Sequence, residues 1–229
     1  MELELIARVR TDFPAKFGIP RQSGMVAELT GEIVFESRFR SPDALRGIEQ
    51  FSHLWILWGF SEVKQENWSA TVRPPRLGGN QRVGVFASRS PFRPNPVGLS
   101  CVKLLNVIRD DPRGPVLKIG GVDMMDGTPV YDIKPYVPHA DCRPEAVGGF
   151  SDAHRNDRLN VDFPEEFLKK VPSDKREALI GVLAGDPRPS YQDDPQRVYG
   201  FAFAGLEVKF RVTGDCLSVT DLLPSEQNS

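Results

Sequence analysis

Short runs of alternating apolar and polar residues dominate the first two thirds of the chain. Leu3, Leu5, Ala7 and Val9 alternate with mostly polar neighbours, the period of a half-buried strand. Residues 31–36, 82–87, 99–107 and 116–122 repeat that alternation. Residues 53–60 (HLWILWGF) are apolar without a break and predict a central strand buried on both faces. Asp126-Gly127 predicts a hairpin turn between strands ending near Met125 and starting near Thr128. Ser41 as N-cap and Pro42 at the first helical position predict a short helix reaching about Phe51. Many short strands with few helices point to a barrel or a curled sheet.

Between about residues 140 and 161 the pattern dissolves into Pro, Gly, Asp, Arg and Asn, read as a linker or long loop. Residues 163–170 and 173–184 then read as helices, the second opened by Ser173 and stopped by Gly185 and Pro187. Residues 198–204 and 206–212 predict a hairpin through Gly205, followed by a last strand at 217–222. The expected organisation is a mainly β domain over 1–140, a linker over 141–160 and a small α+β domain over 161–229.

Composition narrows this picture in three ways. The chain has 229 residues, and its formal net charge of −2 excludes a uniformly basic nucleic-acid binder while leaving room for a local basic face. Cys101, Cys142 and Cys216 are odd in number and form no CxxC, which argues against a disulfide framework or a structural zinc. The opening MELELIARVRTDF has no apolar signal region, and the apolar run at 54–60 is too short to span a bilayer. A soluble, reducing, cytoplasmic setting is expected, with no membrane or metal partner. His53 begins the apolar run and reads as a core histidine, and His139 and His154 show no ligand spacing.

Residues 72–100 carry the strongest chemistry: VRPPRLGGNQRVGVFASRSPFRPNPVGLS holds five arginines, five prolines, four glycines and no acidic residue. Guanidinium forks suit phosphates, carboxylates and base edges. Proline and glycine stiffen the turns that aim them, and Gly78, Gly79 and Asn80 would let backbone approach a ligand. Two other readings stay open: a solvated loop whose arginines cap carboxylates, and a PxxP ligand at Pro91–Pro94. In GGVDMMDGTPVYDIKPYVP, Asp126 has a turn to explain it, Asp123 has no assigned role, and Asp132 sits in strand-like surroundings. Asp132 reads equally as an acceptor facing an amine and as an ion pair with Lys134 or an arginine. No GxGxxG after a strand, GxxxxGK[ST] or GxSxG occurs, so no Rossmann, P-loop or nucleophile-elbow device is present.

Taken together, the 72–100 run resembles the signature of the TrmO family, also called TsaA-like or YaeB, of S-adenosylmethionine-dependent tRNA (adenine-N6)-methyltransferases. KFGIPRQ at 16–22, ALRGIEQFSHLWIL at 44–57 and DMMDGTPVYDIKPYVP at 123–138 agree in order, and DPRPSY at 186–191 resembles the family's second-domain motif. The resemblance implies a small TsaA-like β-barrel followed by a small α+β domain, and a homodimer with the cofactor near the subunit interface. It implies as substrate the N6-threonylcarbamoyl-adenosine beside the anticodon of threonine tRNA. Carried over by motif, S-adenosylmethionine is expected near Pro20, Arg21, Gln22, Ser61, Glu62, Arg89, Leu99, Asp126, Gly127, Val130 and Ile133. Arg73, Arg76 and Arg93 are expected on tRNA phosphates, although any of the arginines could hold the threonyl carboxylate instead.

Two positions depart from the family pattern: Phe60-Ser61-Glu62 stands where Phe-His is common, and Ser88 where threonine is frequent. The purine amine is a weak nucleophile that needs a proton acceptor, for which Asp132 is the first expectation and Tyr131 or a backbone carbonyl the fallback. The Asn/Asp-Pro-Pro-aromatic motif of many adenine-N6 methyltransferases is absent, since Asn95-Pro96-Val97 lacks its second proline and ring. An alternative of another class is a cofactor-sensing or RNA-binding module without turnover.

Overall fold

The computed structural model describes residues 2–63, 68–74, 81–154, 157–188, 192 and 194–225. Arg76, Gly78, Gly79, Asn80 and Tyr191, named above, lie outside the described residues. The chain is mainly β. Its first part holds β1 (Ala7–Arg10), β2 (Thr30–Phe35), β3 (His53–Gly59), β4 (Thr71–Val72), β5 (Val83–Gly84), β6 (Val97–Ile108), β7 (Val116–Gly120) and β8 (Pro129–Pro135). Six of these pair antiparallel in the order β1-β2-β7-β6-β3-β8, and β8 returns to β1 through Ala7↔Val130. The sheet therefore closes on itself, with Ala7, Val9, Ile33, Leu54, Ile56, Val102, Ile119 and Val130 filling its interior. β4 and β5 form a separate two-stranded ribbon.

A closed sheet has one dry face, and this corrects the reading of residues 53–60. β3 does lie between two strands, β6 and β8, yet only Leu54, Ile56, Trp58 and Gly59 are buried; His53, Trp55 and Leu57 stay half-exposed on the outer face. The helix expected over 42–51 is two single 3₁₀ turns, Pro42–Leu45 and Ile48–Gln50, separated by Gly47 at φ 87°. That left-handed residue ends any helical run, and Ser41 makes no side-chain cap. Asp126-Gly127 is a tight turn but joins no hairpin. β7 ends at Gly120, and the turn leans on β1, with Gly127 N–H donating to Val9 O at 2.8 Å.

The second part begins within the stretch read as a linker. A short α1 (Pro138–Asp141) and a 3₁₀ turn (Gly149–His154) precede β9 (Asn160–Asp162), which pairs parallel with a strand more than fifty residues later. Then come α2 (Glu165–Leu168), α3 (Arg176–Ala184), β10 (Tyr199–Phe203), β11 (Leu206–Thr213) and β12 (Cys216–Pro224), in sheet order β10-β11-β12-β9. The predicted hairpin is present. Phe203 pairs with Leu206, and Ala204 and Gly205 between them take φ 50° and 76°, the two positive angles a type I′ turn requires.

The two parts share one core. Phe13 and Phe203, both fully buried, meet at 5.1 Å between ring centroids. Beside them Lys175 Nζ lies 2.6 Å from Asp12 Oδ2, and Ala204 N–H donates to Asp12 O at 3.0 Å. Gly18, at φ 94°, passes so close to Phe201 that an added Cβ would stand 2.4 Å from its ring. The loop carrying Lys16–Gln22 is thus clamped against the second sheet.

Candidate active site

One stretch of β6 organises the site. Val97–Val102 pairs with β3 along one side, whereas β7 joins the other side only from Lys103 onward. The loop after Ile19 covers the bare edge: Cys101 N–H donates to Ser23 Oγ at 3.1 Å, and Gly24 N–H to Gly121 O at 2.9 Å. Arg89, from the arginine-rich segment, donates through Nη1 to Gln22 Oε1 in the same loop. Gln22 Nε2 in turn donates to Arg21 O at 2.6 Å, and Arg21 Nη2 reaches Arg188 O of the second part at 3.5 Å. Two motifs far apart in sequence, Pro20-Arg21-Gln22 and Arg89, are therefore brought into contact.

Below this contact runs a buried polar chain. Trp58 Nε1 donates to Ser100 Oγ at 2.9 Å, and Ser100 Oγ donates to Asp123 Oδ1 at 2.6 Å. An indole N–H inside a core needs such an acceptor. Burial pushes the Asp123 carboxyl above the usual carboxylate range. Hydrogen bonds from Ser100 and from the backbone N–H groups of Asp123 and Ser23, and the charge of Arg89, act against that rise. Asp123 thereby ties β6 to the Ser23 loop. Sequence reading gave it no role; the signal was an acid set among Gly121, Val122 and Met124, all buried.

That placement has a pH consequence. A carboxyl with a raised folded pKa binds its proton more tightly in the folded than in the unfolded chain. Stability therefore falls as pH climbs from the ordinary aspartate value, about 4, through the raised one. Asp123→Asn is expected to flatten this slope, read from thermal midpoints across mildly acidic pH. An unchanged slope would show that the carboxyl is not shielded from water.

The outer face carries the remaining residues. Register places Leu99, Leu57 and Asp132 in one row across β6, β3 and β8. Leu99 is 55% exposed, an open apolar side chain at the β6 end of this row. Leu57 pairs with Asp132 but Trp58 with Val130, so Tyr131 is the extra residue of a bulge. Its ring lies over Gly59, where an added Cβ would come within 2.6 Å of Tyr131 Oη. Asp132 Oδ1 accepts the Ile133 N–H at 2.9 Å, while Oδ2 lies 2.8 Å from Lys134 Nζ. Of the two readings of Asp132, the ion pair with Lys134 is present; both side chains are well exposed, so the pair is weak and easily exchanged.

Other expected residues are placed less centrally. Ser61 and Glu62 are exposed just beyond β3, where Phe60 N–H donates to Pro96 O at 3.0 Å. The Asp126 carboxylate accepts from Thr11 N–H at 3.1 Å and Arg10 Nη1 at 3.2 Å, and Arg8 Nη1 donates to Gly127 O at 3.2 Å. That turn is bound to β1 by its own contacts. Val130 buries its side chain completely. Arg73 is exposed beside β4, whereas Arg93 Nη1 bonds the carbonyls of Ser88 (3.0 Å) and Ser90 (3.3 Å), bracing its own turn. A cleft lined by Pro20, Arg21, Arg158 and Pro187 separates the loop from the second part. Among the described residues no group of His, Cys, Asp and Glu is placed to hold a metal ion, and no helix is long and apolar enough to cross a membrane.

Both parts of this architecture match a methyltransferase. Residues 8–142 match the tRNA-methyltransferase O N-terminal domain, and residues 156–225 the TrmO C-terminal domain. The chain belongs to the tRNA-methyltransferase O (TrmO) family. It is 40% identical over 233 residues to the tRNA (adenine(37)-N6)-methyltransferase of Escherichia coli (strain K12), covering 97% of this chain and 98% of that protein. It is 38% identical over 211 residues to a putative S-adenosylmethionine-dependent methyltransferase of Pseudomonas aeruginosa, covering 89% of each. The crystal structure of TrmO from Pseudomonas aeruginosa superposes with a TM-score of 0.76 at 31% identity, covering 97% of this chain and 98% of that one.

Proposed function

We propose that this chain transfers a methyl group from S-adenosylmethionine to N6 of the adenine at position 37 of tRNA, the reaction its Escherichia coli relative is named for. The observation that carries the reading is the Arg89–Gln22 contact beside exposed Leu99 on β6. The donor set fits the cofactor. Arg89 offers a fork to its carboxylate, and Leu99 and Leu57 offer apolar surface to its purine. When bound, S-adenosylmethionine supplies an electrophilic methyl group on a sulfonium.

The chain's own work is alignment. Prolines 91, 94 and 96 stiffen the segment that carries Arg89, and Asp123 holds the Ser23 loop against β6. Such bracing keeps reacting groups in line, the condition under which positioning lowers a barrier most. Asp132 takes the proton released from the acceptor amine, leaving Lys134 to do so, with Tyr131 beside it on the bulge.

The finer reading follows the resemblance. The adenine carries an N6-threonylcarbamoyl group in threonine tRNA, and the enzyme acts in the cytoplasm as a homodimer. The closed ring of six strands is the TsaA-like β-barrel, forming the domain of residues 1–140 ahead of a smaller unit. Incubating the full chain with S-adenosylmethionine and tRNA, with and without the threonylcarbamoyl group, then analysing nucleosides by mass spectrometry, tests this. Methylation confined to the modified tRNA is expected, and Asp132→Asn should lower kcat about a hundredfold. Cofactor binding with no methylated nucleoside would sink the reading in favour of a sensing module; full turnover by Asp132→Asn would remove only the acceptor role.

A further inference from the structure

The β4–β5 ribbon ends in two aromatic rings that nothing in the described core explains. Trp68 stands just before β4 and Phe86 just after β5, with ring centroids 6.4 Å apart and planes within 28° of parallel. They are 53% and 73% exposed, and Phe92, further along the segment, is 54% exposed. The arrangement is built, not loose. Thr71 pairs with Gly84 and Val72 with Val83, Val85 N–H donates to Ala70 O at 3.0 Å, and the Val85 side chain is fully buried beneath. Arg82 Nη1 crosses the ribbon to Thr71 Oγ1 at 3.2 Å, and Arg73 is exposed on it. Holding large apolar rings in water costs free energy, so a patch of this kind marks a contact surface.

Charge selects the occupant. The ribbon belongs to the segment with five arginines and no acid between Val72 and Ser100, which suits a polyanion and repels a basic partner. Guanidiniums take phosphates, and aromatic faces take bases, but only bases that are not already stacked in a duplex. Two near-parallel rings already form a short stack, and a base laid on its open face extends it. We infer that Trp68 and Phe86 form a stacking platform for an unpaired RNA nucleobase, with the ribbon arginines holding the flanking phosphates. The inference rests on the tRNA reading above and adds what the ribbon takes from it: a single-stranded loop nucleotide, not the helical stem.

The test uses the full chain without methyl donor, so that its outcome is independent of turnover. Trp68 emission is followed during titration with an RNA stem–loop, a blunt RNA duplex of equal phosphate number and inorganic polyphosphate. Trp55 and Trp58, half-buried and buried, form a background removed by subtracting the Trp68→Phe signal. Quenching by the stem–loop alone is expected. Trp68→Ala and, independently, Phe86→Ala should each weaken stem–loop binding about 10- to 100-fold, with an unchanged salt slope because no phosphate contact is lost. Equal quenching by duplex or polyphosphate, or stem–loop affinity unaltered in both variants, overturns the platform. So does a Trp68 signal that follows protein concentration without RNA, which would assign the patch to a second copy of this chain.

Discussion

Arg89→Ala is expected to reduce methyl transfer at least a hundredfold while leaving the thermal midpoint almost unchanged. Arg89 is exposed, and exposed substitutions of this kind usually shift stability by less than about 0.5 kcal/mol. Its contribution is geometric. It joins the arginine-rich segment to Gln22, while Asp123 holds the same loop from below. Without that tie the two segments that flank Leu99 lose their common anchor, and a displacement of about 1 Å at a reacting centre costs on the order of a hundredfold in rate. Arg89→Lys should rescue little, because a single ammonium cannot supply the planar fork. Initial rates at saturating tRNA and methyl donor, set beside melting curves, decide the matter. A variant that turns over at near the wild-type rate would move the centre of the site away from Arg89.

Phe13→Ala should cost about 3–5 kcal/mol, the range for emptying a fully buried aromatic site. Phe13 lies on the segment after β1 and packs its ring on Phe203, at the end of β10. The cavity would therefore open where the two parts of the chain meet. Because one continuous core spans both parts, urea unfolding should remain a single transition shifted to lower denaturant. Tryptophan emission reports the first part alone, since Trp55, Trp58 and Trp68 all belong to it, while far-ultraviolet circular dichroism reports both. Coincident curves with the stated loss are expected. Separated curves, or a loss under about 1 kcal/mol, would mean that the parts fold independently and that Phe13 is replaceable packing.

Elements whose signals lie within a few residues were legible in the chain. Alternation located β2, β6 and β7, and Gly205 located the β10–β11 hairpin, because side-chain period and turn conformation are local properties. The arginine-rich segment was legible for the same reason: its excess of one charge and its stiff turns are visible without knowing what they touch. Reading failed wherever an outcome depended on partners distant in sequence. HLWILWGF is apolar throughout, but only closure of the sheet decides which of its side chains face inward. Residues 160–162 carry no strand pattern and become β9 because Cys216–Ser218 offers a free edge.

The candidate site divides along the same line. Local composition alone marked the arginine-rich segment that carries Arg89; the resemblance to a family motif added Pro20-Arg21-Gln22 and the Asp126–Ile133 stretch and implied their ligand class. Only the folded chain put Arg89 on Gln22, set Ser100 between Trp58 and Asp123, and aligned Leu99 with Asp132. It also turned Val130 inward and gave Asp126 to β1. The physical reason is that residue type and short-range period set which chemistry and which elements are available. The environment that fixes a side chain's direction, its hydrogen-bond partner and its proton affinity is assembled from strands that meet only after the sheet has closed.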